Sequence, residues 1–238
     1  MADAGRLLPY GDRAVLFELP DLAAVVALHR VLRADLPAGV IDLVPAARTV
    51  LVRFEPRTVS LARVAAWLQE HAAAAAGTAP DPEPASVLVE IPVRYDGVDL
   101  ADVAELTGLA VDEVVRRHAA ATYTVAFCGF VPGFGYLAGG DPALRVSRLA
   151  SPRIRIPAGS VAIADEYTGI YPRESPGGWR LIGRTGVRLW DLDRDPPALL
   201  TPGTRVRFVS TGAYDAEHDD SAQDDADERG GPARGDRP

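Results

Sequence analysis

The spacing of apolar and polar positions predicts short strands and amphipathic helices along the first third of the chain. Arg13 to Leu19 reads as a strand. Asp21 can cap a helix, and Leu22, Val25, Val26, His29, Leu32 and Leu36 then fall near one helical face. Val40–Val44 and Thr49–Phe54 read as strands on either side of Pro45-Ala46-Ala47. Thr58 or Ser60 opens a second helix carrying Leu61, Val64, Ala65 and Leu68, and the alanine run Ala72 to Ala76 ends it. Further on, Ser86–Val93 alternates like a strand, and helical patterns cover Leu100–Thr107 and Val111–Ala119. Short apolar runs follow, punctuated by glycine and proline: Tyr123–Phe127, Arg153–Pro157, Ser160–Ala164, Trp179–Ile182, Arg188–Asp191 and Arg205–Val209.

The first group, in the order β-α-β-β-α, predicts a small α+β sandwich of ferredoxin-like kind over residues 1–80. The second, with many short strands and frequent turns, predicts a β-barrel or sandwich over 86–213. Between them Gly77-Thr78-Ala79-Pro80-Asp81-Pro82-Glu83-Pro84 cannot continue a helix or pair in a central strand, so residues 81–85 read as a Pro-rich linker.

Composition narrows the function classes. The chain has 238 residues, 47% of them hydrophobic, enough to pack a core. No apolar run approaches the roughly 20 residues that span a bilayer, and the N-terminus lacks a signal-peptide pattern, so the expected location is cytoplasmic. One cysteine, Cys128, excludes a disulfide framework and a cysteine zinc cluster. It lies in an apolar strand and reads as an inert core thiol. All 25 basic residues are arginine. That removes a P-loop lysine, Schiff-base chemistry and a biotinyl-lysine carrier. The net charge is −8, and residues 214–238 read as a disordered acidic tail holding most of it. The near-neutral remainder lacks the basic footprint of nucleic-acid binding.

Three stretches can carry chemistry. Gly129-Phe130-Val131-Pro132-Gly133-Phe134-Gly135-Tyr136-Leu137 combines backbone freedom with aromatic walls, which suits either a ligand pocket or a packed barrel corner. Arg153-Ile154-Arg155-Ile156-Pro157-Ala158-Gly159-Ser160 offers two arginines on one face of a strand, able to clamp a carboxylate or phosphate, and a turn whose amides and serine can meet an oxyanion. A hairpin with surface arginines is the alternative. Thr168-Gly169-Ile170-Tyr171-Pro172 and Ser175-Pro176-Gly177-Gly178-Trp179 add two more glycine-bearing loops that can converge on one groove. His118, late in a helical pattern, is either an acid, base or anion contact, or a helix-end cap. Ser160 lacks the nucleophile-elbow pattern of serine hydrolases.

These stretches, in this order, together with Tyr10-Gly11-Asp12-Arg13-Ala14 and Val44-Pro45-Ala46, resemble the KipI family, which is also known as allophanate hydrolase subunit 1 or as the B component of 5-oxoprolinase. The likeness spans about residues 6–210. One position departs: the family often has Gly-x-Gln where this chain has Asp165-Glu166-Tyr167. The resemblance implies a ferredoxin-like domain followed by a cyclophilin-like β-barrel of the carboxyltransferase subdomain C/D type. It implies one component of an ATP-dependent 5-oxoprolinase, with ATP as cosubstrate and magnesium not assigned to residues. The implied partners are the A and C components of that enzyme, the latter of KipA or allophanate hydrolase subunit 2 type. Alternatives are an inhibitor of a sensor histidine kinase and a carboxyltransferase-type protein working on urea, allophanate or a related amide. The expected catalytic set is His118, Arg153 and Ser160. The expected groove is formed by Phe130, Pro132, Gly133, Phe134, Tyr136, Pro157, Ala158, Gly159, Thr168, Gly169, Ser175, Pro176, Gly177, Gly178 and Trp179.

Overall fold

A computed structural model describes residues 5–75 and 88–212. The linker and acidic tail expected from the sequence lie outside these residues.

The N-terminal part runs β1 (Arg6–Pro9), β2 (Ala14–Glu18), α1 (Leu22–Ala34), β3 (Val40–Pro45), β4 (Thr49–Phe54) and α2 (Leu61–Ala75). Its four strands form an antiparallel sheet in the order β1-β2-β4-β3. The β2-α1-β3-β4-α2 succession is the expected ferredoxin-like one. The unexpected element is β1, which takes the edge slot beside β2. Asp21 does cap α1, accepting from the Ala24 amide at 2.8 Å. Val25, Leu28 and Leu32 of α1 and Val64, Trp67 and Leu68 of α2 pack on Val15, Phe17, Val50 and Val52 of the sheet, which gives the period-3.6 and period-2 patterns one shared core.

The C-terminal part contains β5 (Leu88–Val93), α3 (Leu100–Thr107), α4 (Val111–Ala120), β6 (Thr122–Cys128), β7 (Gly135–Ala138), β8 (Arg153–Ile156), β9 (Ser160–Ala164), β10 (Tyr167–Ile170), β11 (Ser175–Gly177), β12 (Arg180–Arg184) and β13 (Arg205–Ser210). Seven of these strands form one sheet in the order β12-β9-β10-β7-β6-β13-β5. Its two ends meet where Arg94 and Arg184 exchange backbone hydrogen bonds of 2.9 and 2.8 Å. The sheet is thereby rolled into a nearly closed barrel, the α+β class expected. β8 and β11 form a separate ribbon. Ile91, Val93, Val125, Leu137, Val161, Ile163, Ile170 and Val206 fill the interior, with α3 and α4 contributing Leu100, Val103 and Val114. Gly108 ends α3 at φ 68°, the left-handed stop glycine favours.

Two expectations are corrected. Arg188–Asp191 is not a strand: only Trp190 makes an isolated bridge, to Ala198, and the Arg188 and Asp191 side chains approach each other at 3.6 Å. Conversely, β7, β10 and β11 pair as strands inside segments whose glycines and prolines read as loops. Among the described residues, no helix is long and apolar enough to cross a membrane.

Candidate functional site

The glycine-rich loop between β6 and β7 is built from two consecutive turns. Val131 N–H bonds Gly129 O at 2.7 Å, a three-residue γ-turn with Phe130 at its centre. Phe134 N–H bonds Val131 O at 3.0 Å, and Gly133 has φ 85°, so Val131-Pro132-Gly133-Phe134 is a turn with proline at its second and a left-handed glycine at its third position. The Gly129 amide closes the loop onto Phe134 O at 3.2 Å.

The loop delivers Phe134 to the outer face of the barrel. There Phe134, Tyr171 and Trp179 pack with Ile156, Leu181, Ala162 and Ala164, and Tyr136 and Tyr167 lie against them. The floor must be thin for these rings. A Cβ at Gly169 would come within 2.9 Å of Phe134 Cζ and 3.0 Å of Trp179 Cζ3. A Cβ at Gly177 would run into the Tyr171 hydroxyl. Gly169, Gly177 and Trp179 thus serve aromatic packing. Phe130 differs: its ring meets Phe134 and Tyr171 edge-on, with centroids 5.6 and 6.3 Å away, and is 55% exposed.

The glycine-bearing loops do converge. The Gly159 amide bonds Tyr171 O at 2.7 Å, Tyr171 N–H bonds Ser160 O at 2.9 Å, and Thr185 N–H bonds Gly159 O at 2.9 Å. Gly133 approaches Pro172 and Trp190. Around this junction Phe130, Pro132, Pro157 and Ala158 are exposed. Ser175 is buried, its hydroxyl donating to Arg173 O at 3.2 Å, while Pro176 is exposed and Gly178 half-buried.

Each member of the expected catalytic set is engaged by its own partner within the fold. His118 is fully buried. The Thr168 hydroxyl donates its one proton to Ala162 O at 3.1 Å and therefore accepts from His118 Nε2, 2.9 Å away. His118 Nε2 thus carries the ring proton, and Nδ1 accepts from the Tyr95 hydroxyl at 2.8 Å. Burial pushes the imidazole down to about 3, so the ring is neutral, has no free nitrogen, and stacks on Phe208 at 4.6 Å. Arg153 does clamp a carboxylate, but an internal one. Its fork grips Asp99 at 2.8 and 2.6 Å, and Asp99 also accepts from the Leu181 amide at 2.7 Å. That ties the β8–β11 ribbon to the start of α3 and to β12. The Ser160 hydroxyl and amide both donate to Pro157 O, at 2.8 and 3.3 Å. The Gly159 amide is also spent, so neither the glycine nor the serine of that turn is left as a free oxyanion donor. Arg155 pairs with Glu174 at the surface.

A cavity of about 360 Å³ opens at the opposite turn of the barrel, between the start of α1 and β10. Asp21, Leu22, Tyr123, Gly140, Asp165 and Glu166 line it, over His118 and Thr168. No cluster of three or more His, Cys, Asp or Glu among the described residues can hold a metal ion. Cys128 is half-buried, its thiol pushed up by burial and directed at Leu200 O, 3.4 Å away, which leaves it a poor nucleophile.

The pattern of the carboxyltransferase domain, subdomain C and D, matches residues 5–200. This chain belongs to that family. The B subunit of the 5-oxoprolinase of Escherichia coli O157:H7 is 40% identical over 212 residues, covering 84% of this chain and 93% of that relative. Its Bacillus subtilis (strain 168) counterpart, also a 5-oxoprolinase B subunit, is 44% identical over 131 residues, 54% of this chain and 55% of that one. Among solved structures, TTHA0988 superposes with a TM-score of 0.68 at 38% identity over 84% of this chain. This carboxyltransferase-family chain spans only 40% of that one's length.

Proposed function

We propose that the chain is the B component of an ATP-dependent 5-oxoprolinase that opens 5-oxo-L-proline to L-glutamate. The observation that carries the reading is the 40% identity running through 93% of the Escherichia coli relative. The site geometry agrees with a protein that binds and positions rather than one that supplies a nucleophile. A lactam resists water because its nitrogen feeds the carbonyl. Transfer of the ATP γ-phosphoryl group to the carbonyl oxygen removes that protection and releases ADP. One water then adds at the carbonyl carbon as the carbon–nitrogen bond breaks and the nitrogen takes a proton. A second water cleaves the resulting acyl phosphate to glutamate and phosphate. Such a sequence needs held substrates and aligned donors.

The glycine-rich loops here spend the amides of Gly129, Val131, Phe134, Gly159 and Ser160 on internal carbonyls. A phosphate cradle uses a run of free amides. We therefore place the ATP phosphates on the A or C component, with this chain contributing to the lactam side. The test is reconstitution of the chain with its candidate A and C components. ADP and glutamate are expected only when 5-oxo-L-proline and this chain are both present. Equal product without this chain, or none with it, overturns the assignment.

A further inference from the structure

The strongest anomaly in the molecule is Phe130. A bulky residue at φ 65° is a backbone outlier, and positive-φ γ-turns are strained. Burial of the ring does not repay this strain, because Phe130 remains 55% exposed. The surrounding loop still enforces it, through the 2.7 Å bond from Val131 N–H to Gly129 O, the adjoining Pro132-Gly133 turn, and the tight seat of Gly133 against Trp190 and Pro172. Strain kept by an over-determined loop, with its side chain left in solvent, is a feature of ligand-contacting positions.

A second observation lies beside it. Arg153, Arg155 and Arg184, the neighbouring arginines, are all engaged in ion pairs. The Arg173 side chain is exposed and makes no hydrogen bond or ion pair among the described residues. It sits two residues beyond Tyr171, whose ring Phe130 touches, and directly after Pro172, against which Gly133 packs. A flat apolar face and a free guanidinium fork therefore stand on adjoining loops at one rim.

We propose that Phe130 and Arg173 read the substrate: the ring supports the apolar edge of a small cyclic amide, and the guanidinium takes that molecule's carboxylate. This assigns to Arg173 the role that the sequence suggested for Arg153, and it rests on the 5-oxoprolinase reading.

The test uses the reconstituted complex with 5-oxo-L-proline. Arg173→Ala is expected to raise KM about tenfold with kcat changed less than about threefold, and Arg173→Lys to recover part of the loss. Phe130→Gly and Phe130→Ala are expected to raise KM alike, since both lack the ring. Phe130→Gly should melt roughly 2–4 °C above Phe130→Ala, because only glycine relieves the strain. A KM within about twofold of the unaltered complex for either Phe130→Gly or Arg173→Ala overturns the proposal while leaving the 5-oxoprolinase reading intact. An unaltered complex without turnover overturns both.

Discussion

Arg153→Ala is expected to lower the melting temperature by roughly 6–12 °C, whereas Arg155→Ala, two positions along the same strand, is expected to move it by about 1–2 °C. The Asp99 side chain is 3% exposed and receives three charge-assisted hydrogen bonds, two of them from Arg153. Removing the arginine leaves a buried carboxylate with one amide donor. Breaking such a pair costs about 3–5 kcal/mol. Arg153 is itself 31% exposed, so water screens its end and the lower figure, about 3 kcal/mol, applies. For a chain of this size that corresponds to roughly 2–4 °C per kcal/mol. The Arg155 and Glu174 side chains are 75% and 54% exposed, and a pair in that setting contributes about 0.5 kcal/mol. Thermal unfolding of both variants measures the contrast. Equal melting temperatures would show that the Asp99 fork does not hold the β8–β11 ribbon.

The second large effect is a pH dependence. His118 in the folded chain is depressed to about 3 from an ordinary value of 6.5, with burial as the cause. Between these values the unfolded chain binds one more proton than the folded chain, so stability falls as pH drops below 6.5, by up to about 1.4 kcal/mol per pH unit. The contribution is complete above 6.5. His29 acts in the same direction, lowered by burial and then by Arg33, and it is present in both the unaltered chain and the His118→Gln variant. His118→Gln removes the titrating ring, so its stability deficit against the unaltered chain at pH 7.5 should shrink by about 2 kcal/mol at pH 5. Urea denaturation at each pH reads this directly. A deficit that stays constant across the range would mean that His118 is accessible to protons in the folded chain.

Much of the fold was legible because long elements advertise their period. The helices from Asp21 and Ser60, the strands Thr49–Phe54 and Thr122–Cys128, and the Gly108 stop lie where apolar spacing and capping residues place them. The elements that escaped are short. β1 has four residues ending in Pro9, and β7, β10 and β11 have three or four within glycine-rich stretches. Glycine reads locally as a turn signal, yet at Gly169 and Gly177 it makes room for rings in a paired strand, a tertiary reason that no local window contains.

The site divides the same way. The aromatic loops were recognisable from residue type, and they do meet. The commitments of the polar residues were not recognisable, because their partners are distant in sequence. Arg153 reaches Asp99 across 54 positions, and His118 reaches Thr168 across 50. Arg173 carried no motif. It stands out only once the neighbouring arginines are seen to be paired.

Ser160→Ala tests most directly the claim that the polar residues of these motifs build the barrel rather than carry out the chemistry. In the reconstituted complex this variant is expected to keep 5-oxo-L-proline-dependent ADP release, with kcat within about threefold of the unaltered protein. A loss of about 10²–10⁴-fold, the range of a removed acid–base or donor group, at an unchanged melting temperature would contradict it.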